Sequence, residues 1–261
     1  MFLIIVSLFK ALSLNIIIAI LIITTVLVGG VLPLIERKFL SLIQRRVGPN
    51  VVGYRGRLQF LADALKLFLK EVINIQQGNK RAAFSLPTIF LVINLVILLF
   101  LTWDVVGASV IQVEYSTPAF LILFAVCSLI TSNVGFVIKN KYTQLSSTRI
   151  LYMAINFDIV ITALLILLVL IYNHFSFLSF FKTQHDYLGV VFLAPAALTI
   201  LITYLMDVGR APFDLVESES ELIMGFHSEY SSFLFALFIL GEYIHIYLFS
   251  YFLAATLFFL N

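Results

Sequence analysis

From Ala11 to Ile35 the chain reads ALSLNIIIAILIITTVLVGGVLPLI, 25 residues without a formal charge, bounded by Lys10 and Glu36. A helix crossing the hydrocarbon of a bilayer needs about 20 mostly apolar residues. The run is therefore long enough to span, although its length fixes no tilt. A secretory signal has a shorter apolar core and a small-residue cleavage site. Gly29-Gly30-Val31-Leu32-Pro33 has the chemistry of a kink instead, so the run reads as a retained span. Comparable stretches follow at about 84–110, 117–138, 150–173, 188–208 and 231–258. They are long and unbroken, unlike the short alternating strands of a membrane barrel. Backbone groups in lipid must be satisfied internally. The fold predicted is all-α and integral to the membrane, with six transmembrane helices in one membrane domain over 1–261.

Composition agrees. Of the 261 residues 62% are apolar and 11% charged, against about 45–50% and 25% in soluble domains. Such a chain cannot cover a water-facing surface, which excludes a soluble enzyme, a coiled coil, a secreted disulfide-knit module and a disordered tail. A single cysteine, Cys127, excludes an internal disulfide. The net charge of +2 says little about partners, and no nucleic acid partner is expected. No repeat of 20–50 residues appears and neither half mirrors the other, which argues against a transporter built from inverted repeats.

The cations set the topology. Loop 36–83, loop 139–149 and the loop 209–230 hold fourteen of the sixteen Lys and Arg residues; Lys10 and Lys182 are the remainder. By the positive-inside rule these three loops face the cytoplasm or matrix, and both termini face the other side.

Loop 36–83 is too long for a simple connector. After Gly48-Pro49-Asn50, a turn signal, residues 58–72 become amphipathic. Gln59, Asp63, Lys66 and Lys70 form one stripe, and Leu58, Leu61, Leu65, Phe68 and Val72 the opposite one. Such a segment is either an interfacial helix in the headgroups or a lid over a cavity, its polar stripe facing a soluble partner.

Loop 209–230 carries acids on the otherwise basic side. If it is helical after Pro212, then Asp214, Glu217 and Glu221 share a face, with Arg210 the nearest cation. Carboxyls this close compete for protons and titrate as a set. Glu242, Asp158 and Asp207 lie inside or at the end of spans. An acid near the bilayer centre costs at least about 2.5–3.5 kcal/mol, and such residues usually face a polar interior or a proton path. No CxxC, HExxH or glycine-rich phosphate loop is present, and the histidines 174, 185, 227 and 245 are scattered along the chain. A redox centre held by this chain is not expected.

Two stretches carry a resemblance: Glu36-Arg37-Lys38 with Arg46-Val47-Gly48-Pro49-Asn50-Val51-Val52-Gly53 and Leu61-Ala62-Asp63-Ala64-Leu65-Lys66-Leu67-Phe68, and Arg210-Ala211-Pro212-Phe213-Asp214-Leu215 with Glu217, Glu219-Ser220-Glu221-Leu222, Gly225-Phe226 and Glu229-Tyr230. Together with Gly241-Glu242-Tyr243, they resemble the subunit 1 family of respiratory NADH:ubiquinone oxidoreductase (complex I), from about residue 15 onward. The resemblance implies a membrane subunit that forms the ubiquinone access tunnel and the start of an acidic path coupling quinone reduction by NADH to proton translocation. It makes Arg37, Arg46, Asp63, Lys66, Arg210, Asp214, Glu217, Glu219 and Glu221 candidates for the tunnel, and Asp158, Asp207, Glu229 and Glu242 candidates for the proton path. No catalytic residue and no metal ligand is implied for this chain. Ubiquinone is the implied substrate, nothing is covalently bound, and the iron–sulfur cluster and FMN belong to partner subunits.

The implied partners are the soluble quinone-site and iron–sulfur subunits, neighbouring small membrane subunits and the lipid bilayer. The pattern departs from the family in three ways. Asp158 and Asp207 stand where Glu is usual, Gly209 stands where Asn usually precedes the arginine, and six spans replace eight. A separate polypeptide is expected to supply the last two helices. Composition rich in Phe, Ile and Leu, without a transit peptide, points to the mitochondrial inner membrane, with the N-terminus in the intermembrane space. Two alternatives remain: the homologous anchor subunit of an energy-converting hydrogenase-like complex, and a stand-alone proton-coupled transporter.

Overall fold

The computed structural model of the chain describes residues 2–73, 78–106, 115–176, 194–210, 213 and 225–254. Among them are seven α-helices and no strand: α1 (Phe2–Ile43), α2 (Gln59–Leu69), α3 (Lys80–Val106), α4 (Ser116–Ile138), α5 (Lys141–Tyr172), α6 (Ala194–Asp207) and α7 (Ser232–Leu253). Short 3-10 turns lie at Tyr54–Gly56 and Gly225–His227. α1, α3, α4, α5 and α7 are each long and apolar enough to cross a bilayer. Of the fifth predicted span, 188–208, the described part is α6, 14 residues and about 21 Å long. The protein is an all-α integral membrane protein.

The helices solve the lipid problem locally. Many Ser and Thr hydroxyls donate to carbonyls three or four residues back in their own helix, as Thr25 does to Ile22 at 2.9 Å, Ser128 to Ala125 at 2.9 Å and Ser250 to Tyr247 at 2.7 Å. No hydroxyl of this kind needs water.

Helix ends extend past the limits that charge implies. α1 continues through Glu36-Arg37-Lys38 to Ile43, because charged residues end a hydrophobic run without ending a helix. It stops in a Schellman cap: Arg45 takes φ 53°, its N–H donates to Leu42, and the Arg46 N–H donates to Ser41 at 2.9 Å. α5 starts at Lys141, inside the predicted loop 139–149, because Asn140 caps it by accepting from the Tyr142 N–H. The α4–α5 connector is only Lys139-Asn140, with Lys139 left-handed at φ 63°.

The chain divides into two compact units, 1–66 and 67–261. In the first, Asp63 of α2 meets Arg37 of α1. In the second, α4 packs on α3 and α5, α3 on α7, and α5 on α6. Its core is aromatic: Phe120, Phe157, Phe238, Phe249 and Phe252 are fully buried, Phe120 stacks on Phe252 and Tyr204 stacks on Phe249. With lipid as solvent, close packing of this sort holds helices together in place of the hydrophobic effect. Gly241 lets α7 approach α3, since a Cβ there would lie 2.7 Å from the Phe90 ring.

The described turn ahead of α7 is not at the surface. Gly225, Phe226 and His227 are all buried, and the turn they form packs against α5. His227 reaches Glu242, ten residues into α7 and about 15 Å along its axis. Irregular backbone at such depth is tolerated when protein surrounds it or it lines a polar cavity. Tyr230 then closes the excursion by donating from its hydroxyl to the Ala83 carbonyl at 3.1 Å; burial pushes its phenol up, which keeps it a donor.

Candidate functional site

A cavity of about 80 Å³ lies within the second unit, bounded by α3, α4, α5, α6, α7 and the Gly225–His227 turn. A water needs roughly 10–15 Å³ of such space and two to four polar partners. The polar groups are there: Asp207, Glu242, His245, Ser128 and Thr131 all line it.

Helix geometry delivers the acids. Glu242 and His245 are three residues apart on α7 and so share a face. Asp207 is the last residue of α6, placed by another Schellman cap, in which the Arg210 N–H donates to Leu205 and the Gly209 N–H to Met206. Gly209 is the left-handed residue of that cap at φ 64°. Gly and Asn are the two residues most at ease there, so replacing the usual Asn leaves the cap intact. Arg210, next in sequence, holds its guanidinium over the Tyr243 ring, 5.2 Å from the centroid.

Each of the two acids lining the cavity has a histidine. His245 Nε2 is 2.9 Å from Asp207 Oδ2, and His227 Nε2 is 3.0 Å from Glu242 Oε1. The Asp207 side chain is 7% exposed, that of Glu242 27%. His245 also reaches Asn94 of α3, Nδ1 to Oδ1 at 3.0 Å, and its ring lies 4.3 Å from that of Phe124. The Asn94 amide donates to the Gly241 carbonyl at 3.3 Å, and the Cys127 thiol donates to Asn94 Oδ1 at 3.6 Å. The arrangement offers protonatable groups a hydrogen bond apart, beside space for water. That is the material of a proton relay.

The predicted site residues fall into separate groups. Asp207 and Glu242 come together at the cavity. Asp158, half-buried on α5 one turn beyond the lining residue Ala154, is within electrostatic reach of Asp207. Glu229 lies elsewhere: its Oε1 accepts from the Asn140 amide at 2.6 Å, at the α4–α5 junction. In the first unit Arg37 Nη1 donates to Asp63 Oδ2 at 2.8 Å, and Gln59 donates to Asp63 Oδ1 at 2.9 Å. The polar stripe of α2 therefore turns Asp63 toward α1. Arg46 closes the α1 cap with its backbone, and Lys66 is exposed on α2. Asp214, Glu217, Glu219 and Glu221 lie outside the described residues.

The Arg37–Asp63 pair is 59% and 39% exposed. Solvent screening limits a pair of this kind to about 1 kcal/mol or less. A double-mutant cycle with Arg37→Ala and Asp63→Ala should return a stability coupling no larger, shrinking in salt. A larger, salt-insensitive coupling would mean that the pair is desolvated by a partner.

The histidines are the residues that the sequence did not single out as site partners. Scattered in sequence, two of them are paired with acids in space, and Asn94 joins them. None of the three carries a charge pattern that marks it. The one sequence signal is the spacing of Glu242 and His245.

Comparisons with known proteins identify the family of the chain. A family model described as NADH dehydrogenase matches residues 15–261. NADH-ubiquinone oxidoreductase chain 1 of Paramecium tetraurelia is 36% identical over 92% of this chain and 92% of its own length. Chains of the same name from Neurospora crassa and Candida albicans are 36% identical over 80% of this chain, but over only 56% and 65% of their own lengths. The chain thus spans nearly all of the ciliate relative and less than two thirds of the two fungal ones. With the match running through both long motifs and the acid-bearing helices, the chain belongs to the NADH dehydrogenase family.

Proposed function

We propose that the chain is a membrane subunit of complex I in the mitochondrial inner membrane, with its basic loops in the matrix and its N-terminus in the intermembrane space. On this reading it forms, within a single membrane domain, the membrane part of the ubiquinone access tunnel and the first segment of a proton path. The tunnel residues are Arg37, Arg46, Asp63, Lys66 and Arg210, with the acidic loop of Asp214, Glu217, Glu219 and Glu221. The proton path runs through Asp207, Asp158 and Glu242, with Glu229 at its matrix edge. Electrons come from an iron–sulfur cluster of a neighbouring subunit, and quinone reduction draws protons near the acidic loop. The resulting change in charge passes to the coupled carboxyls, whose proton affinities depend on one another.

One observation carries the proposal. Two carboxyls, Asp207 and Glu242, line one cavity among membrane-crossing helices, each hydrogen-bonded to a histidine. Acids within membrane-spanning segments mark the places where ions or protons move. Family membership supports the assignment of partners and substrate.

The test is made on the complex purified through a tag on this chain and sealed into vesicles. NADH should reduce added ubiquinone, quinone-site inhibitors should block it, and the vesicle interior should acidify. A complex that evolves hydrogen without reducing quinone would support the hydrogenase-type anchor. Proton transport by the chain alone in liposomes would support the transporter.

A further inference from the structure

His245 is held on both ring nitrogens, and the two contacts together fix where its protons are. Nδ1 faces Asn94 Oδ1 at 3.0 Å and Nε2 faces Asp207 Oδ2 at 2.9 Å. The Asn94 amide cannot be reversed without loss. Its Nδ2 lies 3.3 Å from the Gly241 carbonyl, which only accepts, and its Oδ1 also receives the Cys127 thiol. An acceptor at Oδ1 requires a proton on Nδ1. Across the other contact, a bare Nε2 and an ionised carboxylate would be two acceptors facing each other at 2.9 Å. A proton must lie between them. It belongs either to an imidazolium opposite a carboxylate or to a carboxylic acid opposite a neutral ring. Both forms hold one proton more than a neutral histidine beside an ionised acid.

We propose that Asn94 locks His245 with Nδ1 protonated and so makes the Asp207–His245 pair a resident one-proton store on the path. His245 is then a proton-carrying residue in its own right, and Asn94 is the residue that positions it. The inference rests on the reading of Asp207 as a member of the proton path. Both groups of the pair open on the cavity, and Glu242, one turn from His245 on the same face, opens there too. A proton leaving the space between Nε2 and Oδ2 passes to a cavity water, the pair takes another from the opposite direction, and the Nδ1 proton stays in place.

The other titratable groups around the pair come from every packed element. Cys127 is on α4, Asp158 on α5 and Tyr204 on α6, all within reach of the Asp207 charge; Arg210 follows α6 and acts on Tyr204. Glu242 on α7 carries His227 from the buried turn. On α3 the described facing group is the neutral Asn94. Among these described groups the acids outnumber the one arginine.

Two measurements on the intact complex in membranes test this. The first is the pH profile of NADH-driven proton translocation. Asn94→Leu frees Nδ1, so the neutral ring can donate from Nε2 to an ionised Asp207 and the stored proton escapes at lower pH. Its alkaline limb should move to lower pH by about one unit, the size expected for one hydrogen bond, with the rate on the acid side within about twofold of the wild type. Asn94→Asp accepts more strongly from Nδ1, and its limb should move the other way. It also serves if Asn94→Leu does not assemble. His245→Gln should lose about tenfold in translocation at every pH. An unshifted limb in both Asn94 variants, or a profile merely scaled down, would overturn the store.

The second measurement is the tautomer itself, by 15N NMR of histidine-labelled complex. The His245 signal should show a protonated Nδ1 that is lost in Asn94→Leu, and a bare Nδ1 in the wild type would overturn the proposal. The path reading fails separately, if Asp207→Asn translocates protons at the full rate.

Discussion

Complex carrying Glu242→Gln is expected to assemble normally and to lose about tenfold or more of its NADH-driven proton translocation, the lower range for removal of a group that must exchange a proton. Glutamine has nearly the volume of glutamate, and its carbonyl can still accept from His227 Nε2, now 3.0 Å from Glu242 Oε1. Packing around Gly241 and Phe90 is untouched, so no folding defect is expected. What is removed is the capacity to bind and release a proton beside the cavity. Native gels report assembly, and a pH-sensitive dye in sealed vesicles reports translocation with ubiquinone as acceptor. Full translocation in the variant would take Glu242 off the path.

His245→Leu should show the largest structural effect. It removes the partner of Asp207 while leaving that carboxyl 7% exposed. Deleting one member of a buried pair destabilises by about 3–5 kcal/mol, because the survivor is left without compensation. Pairing it with Asp207→Asn replaces that acid by a neutral amide and should restore most of the loss. Cys127, 1% exposed and the chain's single thiol, provides the readout. The temperature at which it becomes reactive should fall clearly in the single variant and recover in the double one. A single variant as resistant as the wild type would mean that Asp207 gains little from His245.

Much of this was legible in the residues, for definable reasons. A charge-free run such as 11–35 has few ways to exist outside lipid. The period of Gln59, Asp63 and Lys66 against Leu61, Leu65 and Phe68 anticipates α2, and the structure leaves those apolar side chains exposed, as an interfacial helix requires. Asp207 and Glu242 stood out because an acid in a span is costly. The partners of those acids did not stand out. Asn94 sits in a long apolar run, and an amide at such a place gives no pattern. Its contact with His245 joins residues 151 apart in sequence, and the Asp207 contact joins residues 38 apart. Only the packing of α3, α6 and α7 brings them together.

Element ends are less legible in the residues than element interiors. The α1 cap rests on Arg45 in a left-handed conformation that glycine usually supplies, so nothing in the charges marks Ile43 as the last helical residue. Asn140 is a residue type that starts helices, but the cations beside it mark the edge of the membrane and not the edge of a helix. The buried turn Gly225–His227 is the clearest case. Acids flank it in sequence, as they would flank a surface loop, yet phenylalanines take it inside: Phe226 and His227 pack on Phe238, and His227 on Phe235.

If Asp207 and Glu242 exchange protons when quinone is reduced, infrared difference spectroscopy of the complex during NADH-driven turnover registers the exchange. Carboxyl bands should appear or disappear with quinone reduction, one lost in Asp207→Asn and another in Glu242→Gln. A difference spectrum in which neither substitution alters a carboxyl band would contradict it.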